Sequence, residues 1–151
     1  VRPLYCSAAG RVLLAFADPA YITRYLKRAP FTPLTKQTLT RGADLRRLLP
    51  QIREQKLAIT VGEVSNDVAG FAAPIFDREG RVMAALTMAA PVSRTLANPK
   101  DFATLIREAA ESISFGLGHA DAALHTALAV DAKPLAAAAP RKTRGARAKP
   151  R

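Results

Sequence analysis

The chain has 151 residues, 49% of them hydrophobic and 23% charged, with a net charge of +11. That is the size of one domain with enough apolar residues for a core, and it excludes a disordered or fibrous chain. No apolar run is long enough to cross a bilayer, no secretion signal opens the sequence, and one cysteine allows no internal disulfide; these point to the cytoplasm and to no membrane partner.

In chain order, SAAGRVLLAFA reads as a helix with Ser7 as N-cap. DPAYITRYLKRA is a second helix, capped by Asp18, with Pro19 at its first position and Tyr21, Ile22, Tyr25 and Leu26 as its buried stripe. Residues 30–40 form a loop rich in Pro and Thr. A third helix runs from about Ala43 to Gln55, with Leu45, Leu48, Leu49 and Ile52 at helical spacing. LAITVGEV alternates as a strand, and GFAAPIFDREGRVMAALTMAAP reads as a hairpin turning at Asp77 to Gly80, where Gly80 supplies a positive φ. Pro74 predicts an edge strand or a local irregularity. A last helix spans about Lys100 to Leu117, with Phe102, Leu105, Ile106, Ala109, Ile113 and Leu117 on its apolar face. Strands paired through a hairpin and flanked by helices make an α+β fold with an antiparallel sheet.

Charge is unevenly placed. From Lys133 to Arg151 there are seven basic residues and no acid, which leaves +4 for residues 1–132. Residues 119–151, Ala-rich and then basic, are too poor in bulky apolar side chains to offset their ordering entropy and are expected to be a disordered tail. Such a tail can touch nucleic acid weakly and without sequence preference, or act only as a solubilising segment.

Little in the chain suggests catalysis. No phosphate-binding or nucleophile-elbow motif is present. His119 and His125 stand at i, i+6, which is not metal-ligand spacing on one helix face, and solvated side chains explain them. Cys6 reads as a small buried residue, and Glu63, Asp67 and Asp77 as turn or surface carboxylates. No metal and no cofactor is implied. Two features remain. One face of the sheet is small throughout, made by Ala58, Thr60, Gly62, Gly70, Ala72, Ala85, Thr87 and Ala89; it leaves room either for a ligand or for a helix packed unusually close. The second is the helix start at SAAG, whose Ala8, Ala9 and Gly10 would let an anion approach free backbone N–H groups. Together they suggest a site for a small organic anion.

LYCSAAGRVLLA, the LT-x-x-T-L-T loop at Leu34 to Thr40, IREQKLAITVGEVSNDVAGFAAPIFDREGRVMAALTMAAPVSR and a final helix ending in GLG follow one another in an order that resembles the effector-binding domain of IclR-type bacterial transcriptional regulators. The resemblance covers about Leu4 to Gly118, so residues 1–118 are expected to form that domain. It implies a GAF/profilin-like fold with an effector pocket between sheet and helices. It also implies a winged helix-turn-helix and first sheet strands upstream of this sequence, which begins with Val and reads as a C-terminal piece, a gene remnant or a GTG start. Carried over by motif, the ligand-binding positions are Ser7, Ala8, Ala9, Thr60, Gly70, Thr87 and Ala89. Family members often have Gly or Ser where Ala89 and Ala90 stand, and some have an acid where Thr60 stands. The wording of the first two motifs is similar to members that sense aromatic acids.

The expected function is therefore a sensor of a small carboxylate, self-associating as a dimer or tetramer, that controls DNA binding elsewhere in the regulator. The competing readings are a small hydrolase-like enzyme using Cys6 or a carboxylate, a non-functional gene fragment, and a DNA-associated protein working through its tail.

Overall fold

The computed structural model describes residues 3–95 and 97–119; His125 and the basic tail lie outside them. Helix α1 (Ala8–Ala15) starts where Ser7 holds an extended conformation and its hydroxyl accepts the Gly10 N–H at 3.2 Å. Helix α2 (Pro19–Arg28) is capped by Asp18, whose carboxylate accepts from Ala20 and Tyr21 N–H. Both caps satisfy donors that a first helical turn leaves without partners. Helix α3 (Gly42–Gln55) ends at Lys56 in the left-handed region, φ 50°.

Strands β1 (Ala58–Val61), β2 (Val68–Phe76) and β3 (Val82–Pro91) form an antiparallel sheet with β2 in the centre. The turn closing β2 onto β3 has Gly80 at φ 74°, and Asp77 accepts the Glu79 and Arg81 N–H groups. Pro74 is tolerated in a central strand because β1 pairs only as far as Ala72, so β2 is one-sided at Pro74. The register slips between Ile75 and Phe76, and the Phe76 N–H finds the Ser114 hydroxyl at 3.0 Å instead.

The sheet separates two cores. Its small face carries α1, which is sandwiched between the sheet and α3, with Val12, Leu14, Leu45 and Ile52 buried between them. Burying each such side chain contributes about 1.5–3 kcal/mol. Its bulky face, with Ile59, Phe71 and Met88, is covered by α5 (Pro99–Gly116), where Phe102 stacks on Phe71 at 5.6 Å. A one-turn helix α4 (Val92–Thr95) joins sheet and α5.

Three expectations are corrected. The buried stripe of α5 is Ala103, Ile106, Ala110 and Ser114, while Leu105, Ile113 and Leu117 are exposed. Small residues face the sheet so that the helix can lie close; of the expected face, Phe102 and Ile106 do pack on it. Tyr21 on α2 is also exposed, and none of α2's residues is fully buried. His119 is not free in solvent: its ring stacks on Phe76 at 5.0 Å, and its N–H bonds Ser114 O beyond Gly118 at φ 88°, a Schellman closure of α5.

Candidate functional site

The start of α1 stands over one corner of the small face. The strand register places Thr60, Gly70 and Ala89 side by side across the three strands, and Ala58, Ala72 and Thr87 in the next row. A methyl group built on Gly70 would lie 2.8 Å from Thr60 Oγ1 and 3.6 Å from the Ala8 side chain, so Ala8 rests directly on Gly70. Ser7, Ala8, Thr60, Gly70 and Ala89 are thus gathered at one corner, with Ala9 next along the helix and Thr87 one row away.

The polar groups there are unevenly used. Ser7 Oγ takes the Gly10 N–H and donates to Pro3 O at 3.3 Å. The Ala8 and Ala9 N–H groups, and the hydroxyl of Thr60 (6% exposed), form no hydrogen bond among the described residues. Thr87 is exposed and donates to Phe71 O at 3.2 Å, and Ala89 is exposed beside it.

Two details change the picture drawn from sequence. Over Gly70 the small face is filled by α1 itself: here the close-packed helix, not a ligand, explains the missing side chains. Gly10 is not open to an anion either. A Cβ on it would lie 2.4 Å from Leu4 Cα, because the preceding chain crosses the helix at that point. The accessible ground lies beyond Gly70, over Ala89 and Thr87.

What fixes α1 in this position is a set of buried polar contacts that the sequence did not reveal. Arg11, 3% exposed, reaches Glu63 with both terminal nitrogens, at 2.7 and 2.5 Å, and Tyr5 O with Nε at 2.8 Å. Glu63 also accepts the Leu39 N–H at 3.0 Å. It is therefore no surface carboxylate; it ties α1, the Thr-rich loop and the β1–β2 connection together. The loop completes the tie. Thr35 Oγ1 donates to Gly62 O and Thr38 Oγ1 to Glu63 O, each at 2.6 Å, while Thr38 Oγ1 accepts the Leu34 and Thr35 N–H groups. At the far end of α1, the Arg53 guanidinium holds Ala15 O. The Tyr5 ring lies tilted against Phe31, centroids 5.0 Å apart, its hydroxyl donates to Thr32 O at 2.7 Å, and burial pushes its phenol pKa upward. The LT-x-x-T and GEV motifs were visible in the sequence; their pairing with Arg11 was not, because the residues lie 52 positions apart.

Cys6 is fully buried, with Sγ 3.5 Å from Pro3 O. No group of three or more His, Cys, Asp or Glu among the described residues could hold a metal ion. No helix among them is long and apolar enough to cross a membrane.

A family model described as "Bacterial transcriptional regulator IclR C-terminal" matches residues 1–115. The DNA-binding transcriptional repressor YiaJ of Escherichia coli is 35% identical over 119 residues, 77% of this chain and 42% of YiaJ. The chain spans less than half the length of the other curated relatives as well. The crystal structure of the C-terminal domain of the E. coli regulator KdgR matches with a TM-score of 0.70 at 31% identity, over 78% of this chain and 73% of that one. The inducer-binding domain of PobR from Acinetobacter, crystallised as a double mutant with 3-hydroxybenzoic acid, shares the fold: TM-score 0.69 at 21% identity, over 75% of this chain and 66% of that one.

Proposed function

The chain belongs to the IclR family of bacterial transcriptional regulators, as the C-terminal domain, and from that premise we propose that it senses a small carboxylate at the start of α1. The observation that carries this reading is the pair of Ala8 and Ala9 N–H groups at the helix start, uncommitted among the described residues, above a strand row whose Thr60 hydroxyl is also uncommitted. Helix N-termini favour anions through such donors and through the helix dipole. The Arg11–Glu63 tie and the Arg53 contact hold the helix before any ligand arrives, so little ordering is needed on binding. Because Ala8 covers Gly70, the ligand body is assigned to the ground over Ala89 and Thr87, with its carboxylate turned toward Ala8 and Ala9.

An aromatic acid suits this position, as 3-hydroxybenzoic acid accompanies the same fold in PobR. Ser7 supports the site by capping the helix rather than by touching the ligand. In the intact regulator the bound effector would alter DNA binding by a winged helix-turn-helix outside this sequence, in the cytoplasm. Self-association fits the exposed Leu105, Ile113 and Phe115 of α5 with Leu117 at its end, and the outer edge of β3, which pairs with no strand among the described residues. The relatives are regulators, and Cys6, one of the two groups on which the enzymatic reading rested, is buried.

The test is a thermal-shift panel of small aliphatic and aromatic carboxylates. At a hundredfold excess over its Kd, a ligand adds about 2.7 kcal/mol of stability. Ala89→Phe, at an exposed position, should leave the unliganded midpoint in place and abolish the shift; Ala9→Asp should abolish it by charge. If no carboxylate moves the midpoint of the folded protein, the small face serves only to seat α1.

A further inference from the structure

Charge is segregated on the folded body. Residues 19–56, comprising α2, the loop after it and α3, hold nine Lys or Arg against two acids, Asp44 and Glu54, a balance of +7. All other described residues hold six basic against eight acidic side chains, a balance of −2. Five of the nine have a partner within the fold. Arg41 and Arg47 share Asp44, Arg53 holds Ala15 O, Lys56 lies over the Phe76 ring at 5.4 Å and Arg24 over the Tyr21 ring at 6.0 Å. Arg24 is exposed all the same, as are Lys27, Arg28, Lys36 and Arg46, and none of these five makes an ion pair among the described residues.

Three of them stand together. Arg24, Lys27 and Arg28 stand at i, i+3 and i+4, one face of α2. The C-terminal turn of α2 abuts the start of α3: a Cβ on Gly42 would lie 3.2 Å from Leu26 O. Lys27 and Arg28 complement the dipole of α2, but that accounts for neither Arg24, Lys36 nor Arg46. A one-sided excess of unpaired cations costs self-repulsion and is the electrostatic footprint of a polyanion contact.

We propose that the α2–α3 face is a contact surface for the phosphate backbone of double-stranded DNA, independent of sequence and separate from both the carboxylate site and the basic tail. Membership in a family of DNA-binding regulators supplies the reason: such a protein works beside DNA, and the other described faces carry no comparable positive charge. No base-reading element is required, since phosphate contacts position a protein without specifying sequence.

The experiment uses the whole 151-residue chain and fluorescence anisotropy on duplexes of unrelated sequence, with salt varied from about 50 to 200 mM. Each phosphate contact contributes about 0.9 to the slope of log affinity against log salt. The triple variant Arg24→Glu/Lys27→Glu/Arg28→Glu should lower that slope by roughly 2–3 and weaken binding at least about tenfold at the lowest salt. Arg24→Gln/Lys27→Gln/Arg28→Gln should do the same more mildly and guards against misfolding caused by charge reversal. A variant with Arg141, Lys142, Arg144, Arg147 and Lys149 all changed to Gln isolates the tail, and binding that remains should still respond to the α2 changes. Unchanged binding in both α2 variants overturns the proposal. So does loss of all binding with the tail changes alone, or retention of polyglutamate in preference to duplex DNA, which would mark an acidic protein partner instead.

Discussion

Replacing Arg11 by Met keeps most of the side-chain length and removes the charge. The Glu63 carboxylate, whose side chain is 12% exposed, would then keep only the Leu39 N–H among its present donors. Tyr5 O would lose its guanidinium partner as well. Breaking a buried pair from one side leaves an uncompensated charge and costs about 3–5 kcal/mol. In a domain of this size about 1 kcal/mol moves the thermal midpoint by roughly 4 °C, so the variant should melt about 12–20 °C lower. The double variant Arg11→Met/Glu63→Gln removes both charges and leaves an acceptor for Leu39. It should be more stable than the sum of the single changes predicts, with a coupling of about 2–3 kcal/mol. Urea unfolding followed by circular dichroism measures all three. If Arg11→Met costs no more than about 1 kcal/mol, the value of an exposed pair, the tie does not hold α1 and the reasoning fails.

Gly10→Ala should destabilise by about 1–3 kcal/mol or more, because its methyl would meet Leu4 backbone rather than a movable side chain; an unchanged urea midpoint would contradict that. Thr38→Val should cost about 1–3 kcal/mol by leaving the Leu34 and Thr35 N–H groups without their acceptor and Glu63 O without its donor, read in the same assay. At the hairpin turn, hydrogen bonding from the Arg81 N–H holds the Asp77 carboxyl below its ordinary range. A depressed folded-state pKa gives stability that is present above about pH 4 and lost as pH falls below it, so Asp77→Asn should flatten the acid limb of a stability–pH profile. Leu105→Glu with Phe115→Glu should shift sedimentation toward smaller species if α5 mediates self-association; an unchanged profile would place that contact elsewhere.

Element order, the caps at Ser7 and Asp18, the hairpin turn and the alternation of small and large residues across the sheet were all legible, because each rests on neighbours in sequence. The orientation of α5 was not. Its buried stripe is chosen by how closely it must approach β2, and Ala103, Ala110 and Ser114 fit that approach better than the larger Leu105 and Ile113. Glu63 looked like a loop carboxylate because its partner, Arg11, lies in a helix far up the chain. The small face left two readings open, a ligand or a helix packed close, and over Gly70 the occupant is α1. The small face and the helix start were read from the residues themselves and matched by family resemblance, and the strand register sets Thr60, Gly70 and Ala89 in one row.

The most direct test of the carboxylate site is the amide proton–nitrogen spectrum of the labelled protein during titration with 3-hydroxybenzoate and a panel of other small acids. A bound carboxylate should shift the Ala8 and Ala9 amide resonances downfield and saturably, with smaller changes at Thr60, Thr87 and Ala89, and Ala9→Asp should remove the response. Saturable shifts confined to other parts of the fold, with Ala8 and Ala9 unmoved, would contradict the assignment of this site.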